Sequence, residues 1–249
     1  MHIIAHRGAS QGAPENTIAA IRLAWDQAAD GVELDLRLTK DGKIVVIHDA
    51  STQRTACEDV HIADQDFEQL QKLDAGSWWS DRWKKEKIPS LEETLNFVPK
   101  NKHLFLDIKC GEEIAPALKH ILEKTSLPRD NVVFVGKDLT IIQALKKSCS
   151  LYRVLYSVSH RKNGKRPIWA ATIDHWISQA VQAGLDGLGL DARTKIDPYT
   201  IKAIKDSRVH LFAWTVDSPK EVQRLQGLDV TSLATNCPGL VKPNRDRAV

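Results

Sequence analysis

The 249 residues suit one large α/β barrel or two small domains, and 42% hydrophobic with 27% charged residues excludes a disordered chain. A net charge of +3, from 35 basic and 32 acidic residues, is too near balance for a sequence-independent grip on nucleic acid, so any anion site must be local.

Short aliphatic or β-branched runs then alternate with stretches of helical spacing, the pattern of parallel strands joined by crossover helices. Strands are expected at His2 to Ala5, Gly31 to Leu36, Leu104 to Ile108, Asn131 to Val135, Arg153 to Tyr156, Gly187 to Leu190, Val209 to Thr215 and Ser232 to Thr235. Helices are expected at Thr17 to Ala29, Glu112 to Thr125, Leu139 to Lys147, Asp174 to Ala183, Pro198 to Lys205 and Pro219 to Leu225, with Thr17 and Ser218 as caps. Eight strands alternating with helices predict a single (β/α)8 TIM barrel spanning residues 1–249. The further run Ile44 to Ile47 follows Asp41-Gly42 too closely for a crossover and reads as a hairpin return. With Asp41 and Gly42 as a two-residue loop, Leu36 faces Ile47 and Asp35 faces His48. Residues 50–90 are too long for a βα loop and too few for an independent core. They read as an inserted subdomain after the second strand, over the strand ends, with a helix near Asp66 to Leu73 and tryptophans at Trp78, Trp79 and Trp83.

Period-two alternation puts Glu33 and Asp35 on one strand face, and Phe105, Asp107 and Lys109 on another. Three carboxylates at one end of a barrel need neutralising. They suit one hard divalent cation, Mg²⁺ or Ca²⁺, and the blander possibility is a buried ion-pair network with Lys109 and Arg7. His6 and His48 fall at the C-terminal rim, where barrel enzymes place their chemistry, and two histidines can divide acid and base roles at neutral pH. Arg7 and Lys109 could clamp a phosphoryl group, and Gly8 could admit it close to the backbone. Alternation alone would set His6 and Arg7 on opposite faces, so the strand must turn there.

The four cysteines, Cys57, Cys110, Cys149 and Cys237, have neither metal-motif spacing nor the density of a disulfide-stapled domain. Arg7 arrives too early for a signal peptide, and no run approaches the roughly 20 apolar residues of a membrane span. A cytoplasmic protein with free thiols and no stable membrane insertion is expected.

Several segments in order resemble the glycerophosphodiester phosphodiesterase family: Ala5-His6-Arg7-Gly8-Ala9-Ser10, Pro14-Glu15-Asn16-Thr17, Glu33-Leu34-Asp35, Leu38-Thr39-Lys40-Asp41-Gly42, Val46-Ile47-His48-Asp49, Leu73-Asp74-Ala75-Gly76-Ser77, Ile88-Pro89-Ser90-Leu91-Glu92-Glu93, Asp107-Ile108-Lys109 and Ala213-Trp214-Thr215-Val216. The resemblance implies metal-dependent hydrolysis of small glycerophosphodiesters to sn-glycerol 3-phosphate and an alcohol. It implies His6 and His48 as the acid-base pair and Glu33, Asp35 and Asp107 as metal ligands. Arg7 and Lys109 become phosphate ligands and Trp214 a substrate-stacking residue, although a strand tryptophan also reads as core filling. Asn16 either supports the site or marks a helix start.

Three positions depart from the family pattern: Asp107 stands for the usual glutamate, Asp217 for asparagine and Asn236 for aspartate. Related sphingomyelinase D enzymes carry aspartate at the first. The basic run His160 to Arg166 is expected at the catalytic face, as an anion attractor or a solvated loop. Two other functions compete with small-diester hydrolysis. One is a lysophospholipase D or sphingomyelinase D-like lipid phosphodiesterase using the tryptophans as a membrane edge. The other is a non-catalytic metabolite-binding barrel.

Overall fold

The computed structural model describes residues 1–56, 58–159, 172–194 and 196–241, so the basic run at 160–166 and Cys57 lie outside the described residues. In chain order the elements are β1 (His2–His6), α1 (Ile18–Asp26), β2 (Gly31–Leu38), β3 (Ile44–Val46), α2 (Gln53–Ala56), α3 (Phe67–Leu70), α4 (Leu91–Leu95), β4 (His103–Ile108), α5 (Ala115–Lys124), β5 (Val132–Gly136), α6 (Leu139–Ser148), β6 (Arg153–Val158), α7 (Thr172–Gln182), β7 (Gly187–Asp191), α8 (Pro198–Asp206), β8 (His210–Trp214), α9 (Pro219–Gly227), β9 (Ser232–Thr235) and α10 (Pro238–Val241). All but β3 pair in parallel, and β1 pairs with both β2 and β9, which closes an eight-stranded barrel with the crossover helices around it. The expected (β/α)8 fold is therefore present.

Alternation sorts each strand's side chains. Val32, Leu34 and Leu36 of β2, with Leu104 and Leu106 of β4, enter the large core between barrel and helices. Ile4, Phe105, Leu155 and Phe212, from β1, β4, β6 and β8, meet inside the barrel, where the rings of Phe105 and Phe212 lie 4.6 Å apart. Four side chains from alternate strands forming one layer is the packing rule of such barrels. Two residues further along the same four strands lie His6, Asp107, Ser157 and Trp214 at the top; two residues back lie His2, His103, Arg153 and His210 at the floor.

The helices start where capping chemistry is available. Thr17 Oγ1 accepts from Ala20 N at 3.3 Å, and Ser218 Oγ from Glu221 N at 3.5 Å. Sequence reading missed α4, although Ser90-x-x-Glu93 is a full capping box: Ser90 Oγ accepts from Glu93 N at 3.1 Å and Ser90 N donates to Glu93 Oε2 at 2.8 Å. The stretch expected as helix from Asp66 to Leu73 shortens to α3.

The hairpin register differs by one from expectation. Leu36 faces Val46 and Leu38 faces Ile44, so the loop holds three residues, Lys40, Asp41 and Gly42, and Ile47 N donates to the Asp35 carbonyl at 3.0 Å. Gly42 takes the left-handed conformation at φ 75° that a three-residue loop requires. Thr39 Oγ1 donates to Asp41 Oδ1 at 2.5 Å and accepts from Lys43 N at 2.9 Å, favouring the longer loop over the two-residue turn. Asp41 Oδ1 also caps α3 through Phe67 N at 3.1 Å. After β3, Val45, Ile47, Ile62, Leu70, Ala75 and Ile88 form a small core separate from that of the barrel. Within it the Asp74-Ala75-Gly76-Ser77 motif is a tight turn, Asp74 accepting from Gly76 N, Ser77 N and Lys85 N. Trp78 donates to the Ala75 carbonyl at 2.9 Å, while Trp79 is 40% exposed.

Candidate active site

At the C-terminal ends of the strands a pocket of about 40 Å³ is lined by His6, Arg7, Glu33, His48, Asp107, Lys109, Lys137 and Trp214. Glu33 and Asp35 project from β2 and Asp107 from β4; all three are buried, and their oxygens come within 4.8 Å of one another. The expected trio is thus brought together by strand alternation.

Two cations share this cluster. Lys109 Nζ lies 2.5 Å from Asp107 Oδ2 and 3.1 Å from Asp35 Oδ1; Arg7 Nε lies 3.1 Å from Asp35 Oδ2. The contacts to Asp35 Oδ1 and from Arg7 Nε lack hydrogen-bond alignment, and Asp107 Oδ1 has no hydrogen-bond partner at all. Three buried carboxylates against two cations leave one negative charge over, and two carboxylate oxygens unsatisfied. That donor set fits a hard divalent cation better than a closed ion-pair network does. The imbalance also divides the acids. Burial raises Asp35, but Lys109 and Arg7 outweigh it and hold its carboxyl well below the usual range. Burial and the charges of Asp35 and Asp107 push Glu33 well above it. Burial raises Asp107 as well, with Lys109 opposing, while Lys109 is held above the usual lysine range because its three carboxylates outweigh burial.

Arg7 reaches this cluster because the backbone turns left-handed there, at φ 58°, and Arg7 N donates to Glu33 Oε2 at 3.1 Å. Gly8 continues the turn at φ 78°, and a Cβ on it would lie 2.6 Å from the backbone of Ala20. Gly8 is therefore explained by helix packing and by its positive φ. Arg7 also donates to Glu15 Oε1 at 2.8 Å, and the buried Asn16 donates to Asp35 Oδ2 at 2.8 Å.

The two histidines enter from different supports. His6 Nδ1 bonds Asn236 Oδ1 at 2.7 Å, and Asn236 Nδ2 donates to Asp217 Oδ2 at 2.7 Å. Because the amide's donor side is committed to Asp217, its oxygen faces His6; Nδ1 carries the proton, and Nε2, 3.9 Å from Glu33 Oε2, is left as an acceptor. Burial, then the charge of Arg7, lowers His6 to about 4, so it is neutral at physiological pH. The two departures at 217 and 236 thus form one contact, with amide and carboxylate exchanged relative to the family pattern. His48 sits past the end of β3, its Nδ1 2.6 Å from Asp49 Oδ1. Burial lowers it too, with Asp35 and Asp49 opposing.

Sequence reading missed several supports. Arg37 donates to the carbonyls of His48 at 2.9 Å and Lys109 at 2.7 Å, fixing two rim segments. Arg54 donates to Asp49 Oδ2 at 2.6 Å and to both oxygens of Glu15 at 2.7 and 2.9 Å. Lys137 lies 4.9 Å from the centre of the Trp214 ring; its signal was readable, since Val133, Val135 and Lys137 share a face. Trp214 is half-buried, lining the pocket on one side and packing against the inner barrel cluster on the other.

Residues 6–240 match the Glycerophosphoryl diester phosphodiesterase family. The chain is 34% identical over 245 residues to YhdW of Bacillus subtilis (strain 168), covering 97% of this chain and 96% of that protein. It is 32% identical over 248 residues to a glycerophosphodiester phosphodiesterase of Caldanaerobacter subterraneus subsp. tengcongensis, covering 95% and 94%. Among solved structures, an Oleispira antarctica phosphodiesterase in complex with its product sn-glycerol-3-phosphate superposes with a TM-score of 0.85 at 26% identity, covering 97% of this chain and 95% of that one. No helix among the described residues is long and apolar enough to cross a membrane. With a closed parallel barrel and a rim of histidines, carboxylates and cations already in view, the chain belongs to the glycerophosphoryl diester phosphodiesterase family and is a phosphodiesterase.

Proposed function

We propose that the chain hydrolyses small glycerophosphodiesters, such as glycerophosphocholine or glycerophosphoethanolamine, to sn-glycerol 3-phosphate and an alcohol, by two-histidine catalysis and with a divalent cation, Mg²⁺ or Ca²⁺. One observation carries the reading: two histidines, two carboxylates and two phosphate-compatible cations line a single pocket at the strand ends, with the third carboxylate, Asp35, within 4.8 Å of the other two. The product bound by the Oleispira antarctica relative supports the substrate class.

Glu33, Asp35 and Asp107 would hold the cation, which supplies charge to a phosphodiester oxygen when bound. Arg7 and Lys109 orient the phosphoryl group, and Trp214 packs against the substrate. His6, neutral and with Nε2 free to accept, takes a proton from the attacking hydroxyl. His48, whose protonated form Asp49 favours, gives one to the departing alcohol. Attack by the neighbouring glycerol hydroxyl gives a five-membered cyclic phosphate that water then opens with the roles reversed; attack by water alone is the competing route. A time course in ¹⁸O-water with His48→Ala separates them, since cyclisation requires a trappable cyclic product.

Residues 1–249 act here as one catalytic unit, with 50–90 inserted over the strand ends; the contacts of Arg54 with Glu15 and Asp49 support that placement. Cys110, Cys149 and Cys237 are free thiols, which favours a cytoplasmic setting. The lipid-directed reading rests on Trp79, the one strongly exposed tryptophan among the described residues, while Trp78 is anchored inside the insertion. Release of glycerol 3-phosphate from glycerophosphocholine, with and without EDTA, is the decisive assay. Loss in EDTA with recovery on Mg²⁺ or Ca²⁺ is expected; equal rates in both, or full activity of His6→Ala, would refute the site. Faster turnover of lysophospholipid micelles would favour the lipid-directed enzyme.

A further inference from the structure

The other end of the barrel is charged as well. His2, His103, Arg153 and His210 are the first residues of β1, β4, β6 and β8, so alternation aims them into the barrel one layer below Ile4, Phe105, Leu155 and Phe212. Branched aliphatic residues ordinarily fill such layers. Here the four side chains surround a cavity of about 310 Å³. Gly31 and Gly187, at the starts of the intervening strands β2 and β7, add no side chain to fill it. A Cβ on either would lie within 2.6 Å of a backbone carbonyl, of His103 or His210 respectively.

The imidazoles of His2 and His103 stack with centres 4.3 Å apart. Arg153 is half-buried and forms no hydrogen bond or ion pair with a described residue. A carboxylate beside the start of β6 is already engaged: Asp186 accepts from Lys146 Nζ and from Val154 N, each at 2.7 Å. A metal ion does not fit these residues, because the three imidazoles bring no set of three ligand atoms together; among the described residues only Glu33, Asp35 and Asp107 do. What the four residues share is N–H donation, with a fixed positive charge on Arg153, which is the chemistry of oxyanion recognition.

We propose that the barrel floor is a second binding site, for a small tetrahedral oxyanion of the sulfate or phosphate-ester class, with Arg153 as its fixed charge and His2, His103 and His210 as further donors. The carboxylate of Asp130 on the cavity wall opposes Arg153, so the anion draws on the imidazoles becoming charged and binds more tightly as pH falls. Asp30 and Lys102 act on His103 from the β4 side with opposite signs, and Asp186 favours charge on His210. Burial and Arg153 hold His103 and His210 below the ordinary histidine range; a bound dianion reverses that penalty.

Sulfate is the suitable probe, since its charge is constant over the range where histidine titrates. Histidine ring resonances, followed by NMR during sulfate titration, read the two ends of the barrel separately. The signals of His2, His103 and His210 should move with one common Kd at about pH 5.5, and the affinity should fall about tenfold or more by about pH 8. Arg153→Gln should weaken binding at the floor about tenfold or more while leaving the responses of His6 and His48 unchanged. Absence of saturation at the three floor histidines, or the same Kd in Arg153→Gln, overturns the proposal. If circular dichroism shows that Arg153→Gln does not fold, His210→Gln serves instead: the responses of His2 and His103 must weaken, and an unchanged Kd overturns the proposal equally.

Discussion

The top and the floor of this barrel are built from the same strands and the same alternation, yet they treat charge in opposite ways. At the top, Asp35 is buried at 1% exposure and is held by two cations and by the Asn16 amide, a closely packed arrangement in which a missing partner strands a charge. At the floor, His2 and His210 reach solvent, His103 and Arg153 are half-buried, and Arg153 makes no ion pair among the described residues, so charge there is adjustable. Burial decides the difference: a charge removed from water must be fixed by geometry, whereas one at a wet rim can come and go with pH.

The largest expected effect concerns chemistry at the top. His6→Ala and His48→Ala should each lower kcat by about 10²- to 10⁴-fold with unchanged thermal stability, measured as glycerol 3-phosphate release. A loss under threefold for either would remove that histidine from the reaction. The contrast between fixed and adjustable charge is sharpened by two isosteric changes. Asp35→Asn leaves Arg7 and Lys109 short of their shared partner and should cost about 3–5 kcal/mol in chemical denaturation. Glu33→Gln should cost far less without added metal, because the Glu33 carboxyl is pushed up toward its neutral form. Equal losses would show that the three acids are equivalent and break the argument.

A smaller effect tests the support of His6. Asn236→Ala removes the acceptor for Nδ1 and should lower kcat about tenfold with little change in KM. The paired exchange Asp217→Asn with Asn236→Asp should recover more activity than either single change, and failure to do so would unlink the two positions. The smallest effect is at the floor. His103 and His210 have lowered values in the folded state, so below about pH 6.5 the unfolded chain binds more protons and stability falls as pH drops. Arg153→Gln lifts both values toward 6.5 and should reduce the loss of Tm between neutral and mildly acid pH by about 1–2 °C. An unchanged slope would mean that Arg153 does not act on these histidines.

Much of this was legible from alternation alone. Glu33, Asp35 and Asp107 reach one point because two neighbouring strands each place acids on the inward face, and the spacing needs no tertiary information. His48 lines the pocket by a different route from the one its spacing predicts: a two-residue Asp-Gly loop would set it opposite Asp35, and the hydroxyl of Thr39 stabilises a three-residue loop instead. That the strand turns at Arg7 was readable, but the form of the turn was not: it is a left-handed backbone at a non-glycine residue, held by contacts with Glu33, Glu15 and Asp35. Arg37 and Arg54 were invisible for another reason, since a long side chain bridging two loops leaves no periodic trace. The floor ring is readable only after the register of all eight strands is known.

Arg54 has a practical bearing on redesign. It lies in α2, in the stretch between the hairpin and β4, yet it grips Glu15 on the β1–α1 loop and Asp49 beside His48. Arg54 therefore ties the loop that carries Arg7's partner Glu15 to the segment that carries His48. Grafting a foreign loop there would loosen the spacing between His6 and His48 unless the transplant also carried an arginine at that station.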